Sequence, residues 1–353
     1  MRWLREDSEI NVVGSASNGA MAIKTIERLQ PEVVLLDIEM PEMDGITALP
    51  ELLRVAPGVK VIMVSTLTRR NAEISLKATS LGAADYITKP ESARAIGANE
   101  EFRHELIGKV KVYGLAGRGA DAATSLKSDA APAAARAAPR LVDIAGPAPT
   151  QIKLLKATGI RPNILGIGSS TGGPQALFKF LGDLKGQLRV PVVITQHMPA
   201  TFTAILAEHI AKATGLKCME AQDNQLARPG EIYVAPGGYH LTVSASTQGP
   251  ILHLDQNPPE NFCRPSVDPL FRSLAKHYGK RALCAVLTGM GHDGLAGGQE
   301  IVNAGGMIVA QDEASSVVWG MPGAVANAGL CCRVASIDAI GGEVGKLLAG
   351  AMA

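Results

Sequence analysis

Several features that mark other classes of protein are scarce in this sequence. Lys plus Arg number 34 and Asp plus Glu 33, so the net charge of +1 gives no electrostatic reason to expect nucleic acid or an anionic membrane as a partner. No stretch reaches the roughly 18 uninterrupted apolar residues of a membrane span, and the charged N-terminus lacks the apolar core of a signal peptide. We therefore expect a cytoplasmic protein without membrane insertion.

Paired cysteines and aromatic residues are also scarce. The five cysteines form no CxxC pair, so we expect reduced thiols and neither a disulfide framework nor a zinc site. Aromatic residues make up only 4% of the chain, whereas glycine numbers 38. This composition favours parallel α/β sheets over a β-sandwich. The cysteines are Cys218, Cys263, Cys284, Cys331 and Cys332.

The length of 353 residues predicts about two domains. Two series of strand-length apolar runs alternate with helical patterns, one in residues 1–112 and one from residue 163 onward. Such series form parallel sheets, so we predict two doubly wound α/β domains. The predicted strands are Ile10–Gly14, Val33–Asp37, Val59–Ser65 and Asp85–Thr88 in the first series, and Asn163–Gly168, Val190–Thr195, Glu231–Ala235, Leu283–Thr288 and Met307–Ala310 in the second.

Between the two series, the composition changes to Ala, Pro, Gly and Ser with scattered basic residues. Such a stretch has too few large apolar residues to offset the entropy lost on ordering. We therefore predict a flexible linker at residues 116–158, which separates a first domain at residues 1–115 from a second at residues 159–353.

Three polar side chains end neighbouring strands of the first domain. Asp37, Ser65 and Lys89 follow apolar runs directly, and the carboxyl ends of parallel strands meet at one edge of a sheet. A carboxylate, a hydroxyl and an ammonium group placed together suit acceptance of a phosphoryl group. Taken singly, Asp37 could equally cap a helix and Lys89 could be a surface lysine.

The sequence Met40-Pro-Glu-Met-Asp-Gly45 and the pair Lys89-Pro90 weigh against that simpler interpretation. With them, residues 10–112 resemble a response-regulator receiver domain. The resemblance implies a flavodoxin-like fold, with Asp37 as phosphoacceptor, Ser65 and Tyr86 as switch residues, and Lys89 pairing with the phosphoryl group.

The resemblance also implies a Mg²⁺ ion for phosphorylation, held by two acidic residues at the end of a first strand. That strand and pair are missing here, and Glu6 and Asp7 follow no apolar strand. We expect either a start placed too late or a truncated domain. A chain that begins at Met1 should then neither bind Mg²⁺ nor take up label from acetyl phosphate at Asp37.

In the second domain, the first predicted strand leads into Gly168-Ser-Ser-Thr-Gly-Gly173 and then a helical pattern. This strand, turn and helix suit a nucleophile elbow with Ser170 near a positive helix N-terminus. A glycine-rich dinucleotide loop is the competing interpretation. Thr171 stands where that motif requires its third glycine, and the next strand ends in Gln196-His197 without an acidic residue. A plain helix-capping or phosphate-binding role for Ser170 stays open at this point.

Two further strand ends supply a base and an acid. His197 follows the second strand, and Asp293 lies in a glycine-dense loop after the run Leu283–Thr288. Ser170, His197 and Asp293 could act as nucleophile, base and orienter of a hydrolase. Backbone N–H groups of the loop around Met290 could form an oxyanion hole.

These motifs, together with Arg264-Pro-Ser-Val-Asp268, Gln311-Asp-Glu-Ala-Ser315 and Gly320-Met-Pro322, resemble the catalytic domain of the chemotaxis protein-glutamate methylesterases. The resemblance implies hydrolysis of glutamate methyl esters and deamidation of glutamines on methyl-accepting chemotaxis receptors, without a cofactor for the esterase. It assigns Ser170, His197 and Asp293 to the triad and the Met290 amide to the oxyanion, and implies a chemotaxis histidine kinase as phosphodonor.

Other residues of the second domain stay without a role at this stage. We expect no metal at His292, because no further ligands cluster at suitable spacing, and we interpret His240 as a turn residue. Arg264–Asp268 could line the site or cap a helix. The rival hypothesis for the whole chain is a non-enzymatic receiver-adaptor with a degenerate hydrolase domain.

Overall fold

The computed structural model describes residues 2–89, 102–114 and 152–350. Most of the predicted linker, and the predicted boundary at residues 115–116, lie outside the described residues. In the first domain the elements are α1 (Arg2–Glu6), α2 (Gly19–Leu29), β1 (Val33–Asp37), α3 (Gly45–Val55), β2 (Lys60–Ser65), α4 (Arg69–Ser80), β3 (Asp85–Thr88) and a helix α5 at residues 102–114.

A parallel sheet in the order β1-β2-β3 forms the centre of the first domain. The register pairs Asp37 with Val64 and Ser65 with Thr88, which brings the carboxyl ends of the three strands to one edge. The flanking helices begin at residues suited to their start: the side chains of Asn18 and Asp44 accept hydrogen bonds from the first turns of α2 and α3.

The strand predicted at Ile10–Gly14 is wrong, because these residues form no strand in the structure. In a flavodoxin-like sheet, this edge strand pairs with the first strand of the domain. Within the described residues no such strand precedes α2, so the backbone of the segment has no neighbour with which to form a ladder. The apolar pattern alone cannot supply that partner.

The second domain is built on a seven-stranded parallel sheet in the order β13-β12-β11-β4-β5-β8-β6. Its strands are β4 (Ile164–Ser169), β5 (Val192–Gln196), β6 (Lys217–Glu220), β8 (Glu231–Val234), β11 (Ala282–Val286), β12 (Met307–Gln311) and β13 (Cys331–Ala335). Its helices are α6 (Gly173–Asp183), α7 (Phe202–Thr214), α8 (Val267–Tyr278), α9 (Leu295–Asn303), α10 (Met321–Asn327) and α11 (Ile337–Leu348).

A small antiparallel sheet lies beside the main one and was not predicted. Its strands are β7 (Gln225–Leu226), β9 (His240–Ser246) and β10 (Gly249–Asp255), in the order β7-β10-β9. The hairpin β9–β10 packs its buried face on α8, so its alternating pattern is that of a sheet with one solvated face. The two doubly wound α/β domains are confirmed.

The two domains pack together in this structure. The Tyr86 ring of β3 stacks on the Phe202 ring of α7, with centroids 5.0 Å apart, and Arg69 of α4 forms an ion pair with Glu208 of α7. One cluster of buried side chains runs through both domains. The first domain therefore lies against α7, the helix that follows β5 and His197.

Candidate active site

Ser170 stands at the end of β4, on the turn that leads into α6. Its N–H donates to the carbonyl of Thr288, which ties the turn to the end of β11. Gly172 has a φ of +74°, a left-handed conformation that favours glycine. A Cβ on Gly173 would lie 2.0 Å from Gln196 Oε1, so a side chain here would displace the Gln196 amide. The glycines thus let the hydroxyl-bearing turn lie directly against the end of β5.

Gln196, to which the sequence analysis gave no role, joins the ends of β4 and β5. Its amide group accepts a hydrogen bond from Ser169 Oγ at 2.7 Å and donates to the carbonyls of Ser170 at 2.9 Å and His197 at 3.1 Å. The side chain is buried. Gln196 therefore fixes the backbone of Ser170 relative to that of His197. Its position immediately before His197 was the only sequence signal for this role.

His197 lies between a carboxylate and a thiol. Its Nε2 is 2.7 Å from Asp293 Oδ2, and its Nδ1 is 3.4 Å from Cys263 Sγ. Between the described residues, no hydrogen bond joins the Ser170 hydroxyl to the imidazole in this state. The structure thus brings His197 and Asp293 into direct contact and adds Cys263, a residue that the sequence analysis treated only as a free thiol.

Asp293 is held by more donors than any single helix cap provides. Its Oδ1 accepts from Asn261 Nδ2, Ser266 Oγ and the N–H groups of Asp268 and Gly294, at 2.8–3.0 Å. Its Oδ2 accepts from the N–H of Val267 at 2.6 Å, besides the contact with His197. These donors come from the N-terminus of α8 and from the loops beside it. The carboxylate is therefore fixed in position with little exposure to water.

These contacts set the protonation of the pair. Burial raises the pKa of Asp293, but the hydrogen bond and charge of His197 and the donors of Val267 and Ser266 outweigh it, so the pKa falls below its ordinary value. Burial lowers the pKa of His197, while Cys263 and the hydrogen bond to Asp293 raise it more. The pKa of His197 therefore lies above its ordinary value. In this state the dyad favours an imidazolium beside a carboxylate.

Met290 lies in the loop that follows β11. Gly289 before it approaches Ser170 so closely that a Cβ there would lie 2.9 Å from Ser170 Cβ. No described residue accepts a hydrogen bond from the Met290 N–H, so this donor is free to bind an oxyanion next to the serine. The Met290 side chain extends outward to α5, where a Cβ on Gly108 would lie 2.8 Å from its Sδ.

The residues left without a role can now be located. The segment Arg264–Asp268 does begin a helix, and through that helix N-terminus it holds Asp293, so both alternatives for it apply in part. The Arg264 guanidinium donates to the carbonyls of residues 256 and 257. The interpretation of His240 as a turn residue is wrong, because it begins β9, where its buried ring accepts a hydrogen bond from the N–H of Ser266. His292 is exposed beside Asp293.

The first domain also gathers its predicted residues at one sheet edge. Lys89 Nζ lies 2.5 Å from Asp37 Oδ2, and both side chains are partly exposed. The Ser65 hydroxyl is buried, and among the described residues it has no hydrogen-bond partner. An unpaired buried hydroxyl is uncommon, and it suits a group that gains its partner only in another state.

Tyr86 faces away from that edge, into the domain interface. Its ring is buried between Phe202 and the side chain of Lys109, whose Nζ lies 5.4 Å from the ring centroid. Lys109 is itself buried, and it pairs with Asp85 and Glu105 and donates to the Tyr86 carbonyl. The Tyr86 ring is therefore held inward in this structure.

Two further expectations concern the whole chain. All five cysteines are free thiols in this structure. Within residues 2–89, 102–114 and 152–350, no helix has the length and apolar character needed to cross a lipid bilayer.

Two family models match the chain. The model for CheB methylesterase matches residues 165–344, and the model for the response regulator receiver domain matches residues 1–99. The crystal structure of the Thermotoga maritima CheB methylesterase catalytic domain is similar at 34% identity and a TM-score of 0.52. The match covers 53% of this chain and 100% of the Thermotoga maritima domain.

Full-length relatives match over almost the whole chain. Protein-glutamate methylesterase/protein-glutamine glutaminase 1 of Paramagnetospirillum magneticum is 52% identical over 99% of this chain and 92% of its own length. The protein-glutamate methylesterase/protein-glutamine glutaminase of Azospirillum brasilense is 49% identical over 98% and 88%. Both resemblances drawn from the motifs are confirmed. The chain belongs to the protein-glutamate methylesterase/protein-glutamine glutaminase family, as a receiver domain followed by a CheB methylesterase domain.

Proposed function

We propose that this protein hydrolyses the methyl esters of glutamate side chains, and deamidates specific glutamines, on methyl-accepting chemotaxis receptors. The observation that carries the proposal is the His197–Asp293 contact of 2.7 Å, with the carboxylate held by five further donors. Such a fixed carboxylate orients an imidazole as a general base. The loop that carries Asp293 follows β11, which neighbours β4, the strand that leads to Ser170.

The Ser170 hydroxyl attacks the ester carbonyl of the substrate. His197 takes the hydroxyl proton at Nδ1, since its Nε2 is engaged by Asp293, and the Met290 N–H donates to the oxyanion. Collapse of the tetrahedral intermediate breaks the bond to the methoxy group, which leaves as methanol with the proton from His197. Water then attacks the acyl-enzyme by the same route and restores Ser170. With a glutamine, ammonia leaves instead of methanol.

Cys263 is the rival nucleophile, because its thiol contacts His197, whereas no hydrogen bond between described residues joins the serine hydroxyl to that ring. Release of methanol from membranes that carry methylated receptor separates the two. We expect Ser170→Ala to abolish release and Cys263→Ala to retain it. Retention in Ser170→Ala would assign the attack elsewhere, and absence of release in the wild type would favour the non-enzymatic adaptor. The complete set of donors around Asp293 argues against that adaptor.

We further propose that the protein acts in the cytoplasm, where the receptors present their methylated helices and a chemotaxis histidine kinase supplies phosphoryl groups. The near-zero net charge fits protein partners and gives no support for nucleic acid. The receiver domain at residues 1–115, the linker at residues 116–158 and the catalytic domain at residues 159–353 remain the proposed domain bounds.

The receiver domain regulates the esterase by its position. Helix α5 lies over the Met290 loop, so substrate access requires a change in the domain arrangement, which a charge added at Asp37 would favour. The residues around Asp37 do not fit a Mg²⁺ site: the carboxylate pairs with Lys89, and no three acidic, histidine or cysteine side chains of the described residues form a cation site. We therefore expect no stoichiometric acetyl-phosphate label at Asp37 in this protein, and such labelling would contradict the poor fit to Mg²⁺.

A further inference from the structure

An exposed aromatic ring stands beside the candidate active site. Phe262 has 84% of its surface exposed, although large apolar side chains are usually buried. Its backbone and that of Asn261 are left-handed, with φ of 62° and 53°. Two successive non-glycine residues in this region are unfavourable, and such strain persists only where the surroundings enforce it.

The surroundings that enforce this turn belong to the active site. Glu260 and Cys263 exchange two backbone hydrogen bonds across the turn. The Asn261 amide donates to Asp293 and to Asp268, at 2.9 Å each. The same carboxylate that contacts His197 thus also holds Asn261, the residue before Phe262, and Cys263, the residue after it, lies 3.4 Å from His197.

Helix α5 lies beside this ring. In α5, the His104 ring is stacked on Phe262 with centroids 6.2 Å apart. One helical turn further on, Gly108 packs on the Met290 side chain. The two contacts are four residues apart on one face of the helix. Between α5 and the Met290 loop a cavity of about 490 Å³ remains.

We propose that Phe262 is a docking residue for the helical substrate, and that α5 occupies the place of that helix in this structure. The proposal deepens the proposed function and rests on it, because it takes a receptor helix as the occupant. Because Cys263, the neighbour of Phe262, contacts His197, a helix laid across Phe262 and Met290 passes close to this base. Exposed aromatic side chains on a rigid support are frequent anchors of helix recognition.

The test compares two substrates of the full-length protein. One is membranes with methylated receptor. The other is a capped three-residue peptide with a central glutamate methyl ester, which is too short to contact both Phe262 and Met290. The ratio of the two kcat/KM values is the readout. Movement of α5 changes the accessible fraction of enzyme for both substrates equally, so it cancels in the ratio.

We expect Phe262→Ala to lower this ratio roughly tenfold, mainly through KM for the receptor. Phe262→Tyr should keep the ratio near the wild-type value. Leu154→Ala is the matched control, since Leu154 is 47% exposed and its neighbour Leu155 is tied to the start of β13, at the opposite edge of the sheet.

Two results would overturn the inference. One is a ratio within twofold of wild type for Phe262→Ala. The other is a wild type that proves dimeric and a Phe262→Ala variant that proves monomeric with the ratio unchanged, because the ring would then serve contact between two copies. If the wild type released no methanol from receptor, the proposed function would fail first. Because Phe262 is exposed, we expect Phe262→Ala to fold. Phe262→Tyr, which keeps an aromatic ring at this position, provides a second test of the ratio.

Discussion

Two carboxylates end up beside a basic partner at the carboxyl edge of a parallel sheet, and the protein holds them in opposite ways. The Asp37 side chain is 36% exposed and pairs with a Lys89 that is 40% exposed. The Asp293 side chain is 2% exposed, and besides His197 it has five other donors. The first carboxylate is accessible and loosely held, whereas the second is buried and fixed.

The difference follows from what each group is proposed to do. A phosphoacceptor must be reached by a donor and must change its partners when its charge changes, so a partly exposed ion pair suits it. A carboxylate that orients a base must hold one position in every turnover, and buried donors provide that without reorganisation. In this protein the switchable site and the fixed site occupy the same kind of sheet edge.

The largest effect on methanol release should come from neutralising Asp293, and neutralising Asp37 is the comparison. We expect Asp293→Asn to lower methanol release by about 10³ to 10⁴-fold, because the amide cannot accept from all the donors now on the carboxylate and no longer fixes the imidazole tautomer. Asp37→Asn should leave the basal rate of the unphosphorylated protein within about twofold. Thermal unfolding of both variants controls for folding. A mild loss in Asp293→Asn would remove the contrast between the sites.

A smaller effect is expected from the contact of α5 with the Met290 loop. A Cβ on Gly108 would already lie 2.8 Å from Met290 Sδ, so Gly108→Leu should push α5 away from the site. The expected result is a several-fold higher rate of the unphosphorylated protein on the short methyl ester peptide. Gly114→Ala is the control on the same helix, because its Cβ would make only an ordinary contact, 3.8 Å from Val33. An unchanged rate in Gly108→Leu would show that this contact does not limit access.

The pH dependence of the reaction should reveal the protonation of His197. Only the neutral imidazole can take the serine proton, and a raised pKa keeps the ring protonated to higher pH. The rate should therefore rise with pH, with a midpoint above the ordinary histidine value of about 6.5. Cys263→Ala removes one of the interactions that raise this pKa, so it should move the midpoint to lower pH. A midpoint that is equal in both proteins would exclude that influence.

The smallest effect is expected from the exposed ion pair between the domains. Arg69 and Glu208 are both more than half exposed, and such pairs contribute about 1 kcal/mol or less. Arg69→Ala should change the basal rate less than Tyr86→Ala, which removes the ring stacked on Phe202. Parallel rate measurements on the two variants test this order. A larger change from Arg69→Ala would mean that charge, and not ring packing, holds the domains together.

Much of the fold could be predicted because its signals are local. Buried parallel strands are continuous apolar runs, and β1 and β2 end at the predicted residues Asp37 and Ser65. The segment Ile10–Gly14 shows the limit of such signals, since a strand forms only if a neighbouring strand pairs with it. The hairpin β9–β10 was missed for a related reason: its alternating residues become recognisable only once α8 covers one face.

The sequence by itself determined which residues end the parallel strands, and therefore that Ser170 and His197 lie at one edge of the sheet and Asp37, Ser65 and Lys89 at another. It determined this because strand periodicity and glycine-rich turns are written in neighbouring residues. Only the tertiary structure decided the contacts between distant segments: Asn261 and the start of α8 on Asp293, Cys263 on His197, and α5 on Phe262 and Met290. These depend on how helices and loops pack across the sheet, which no local pattern specifies.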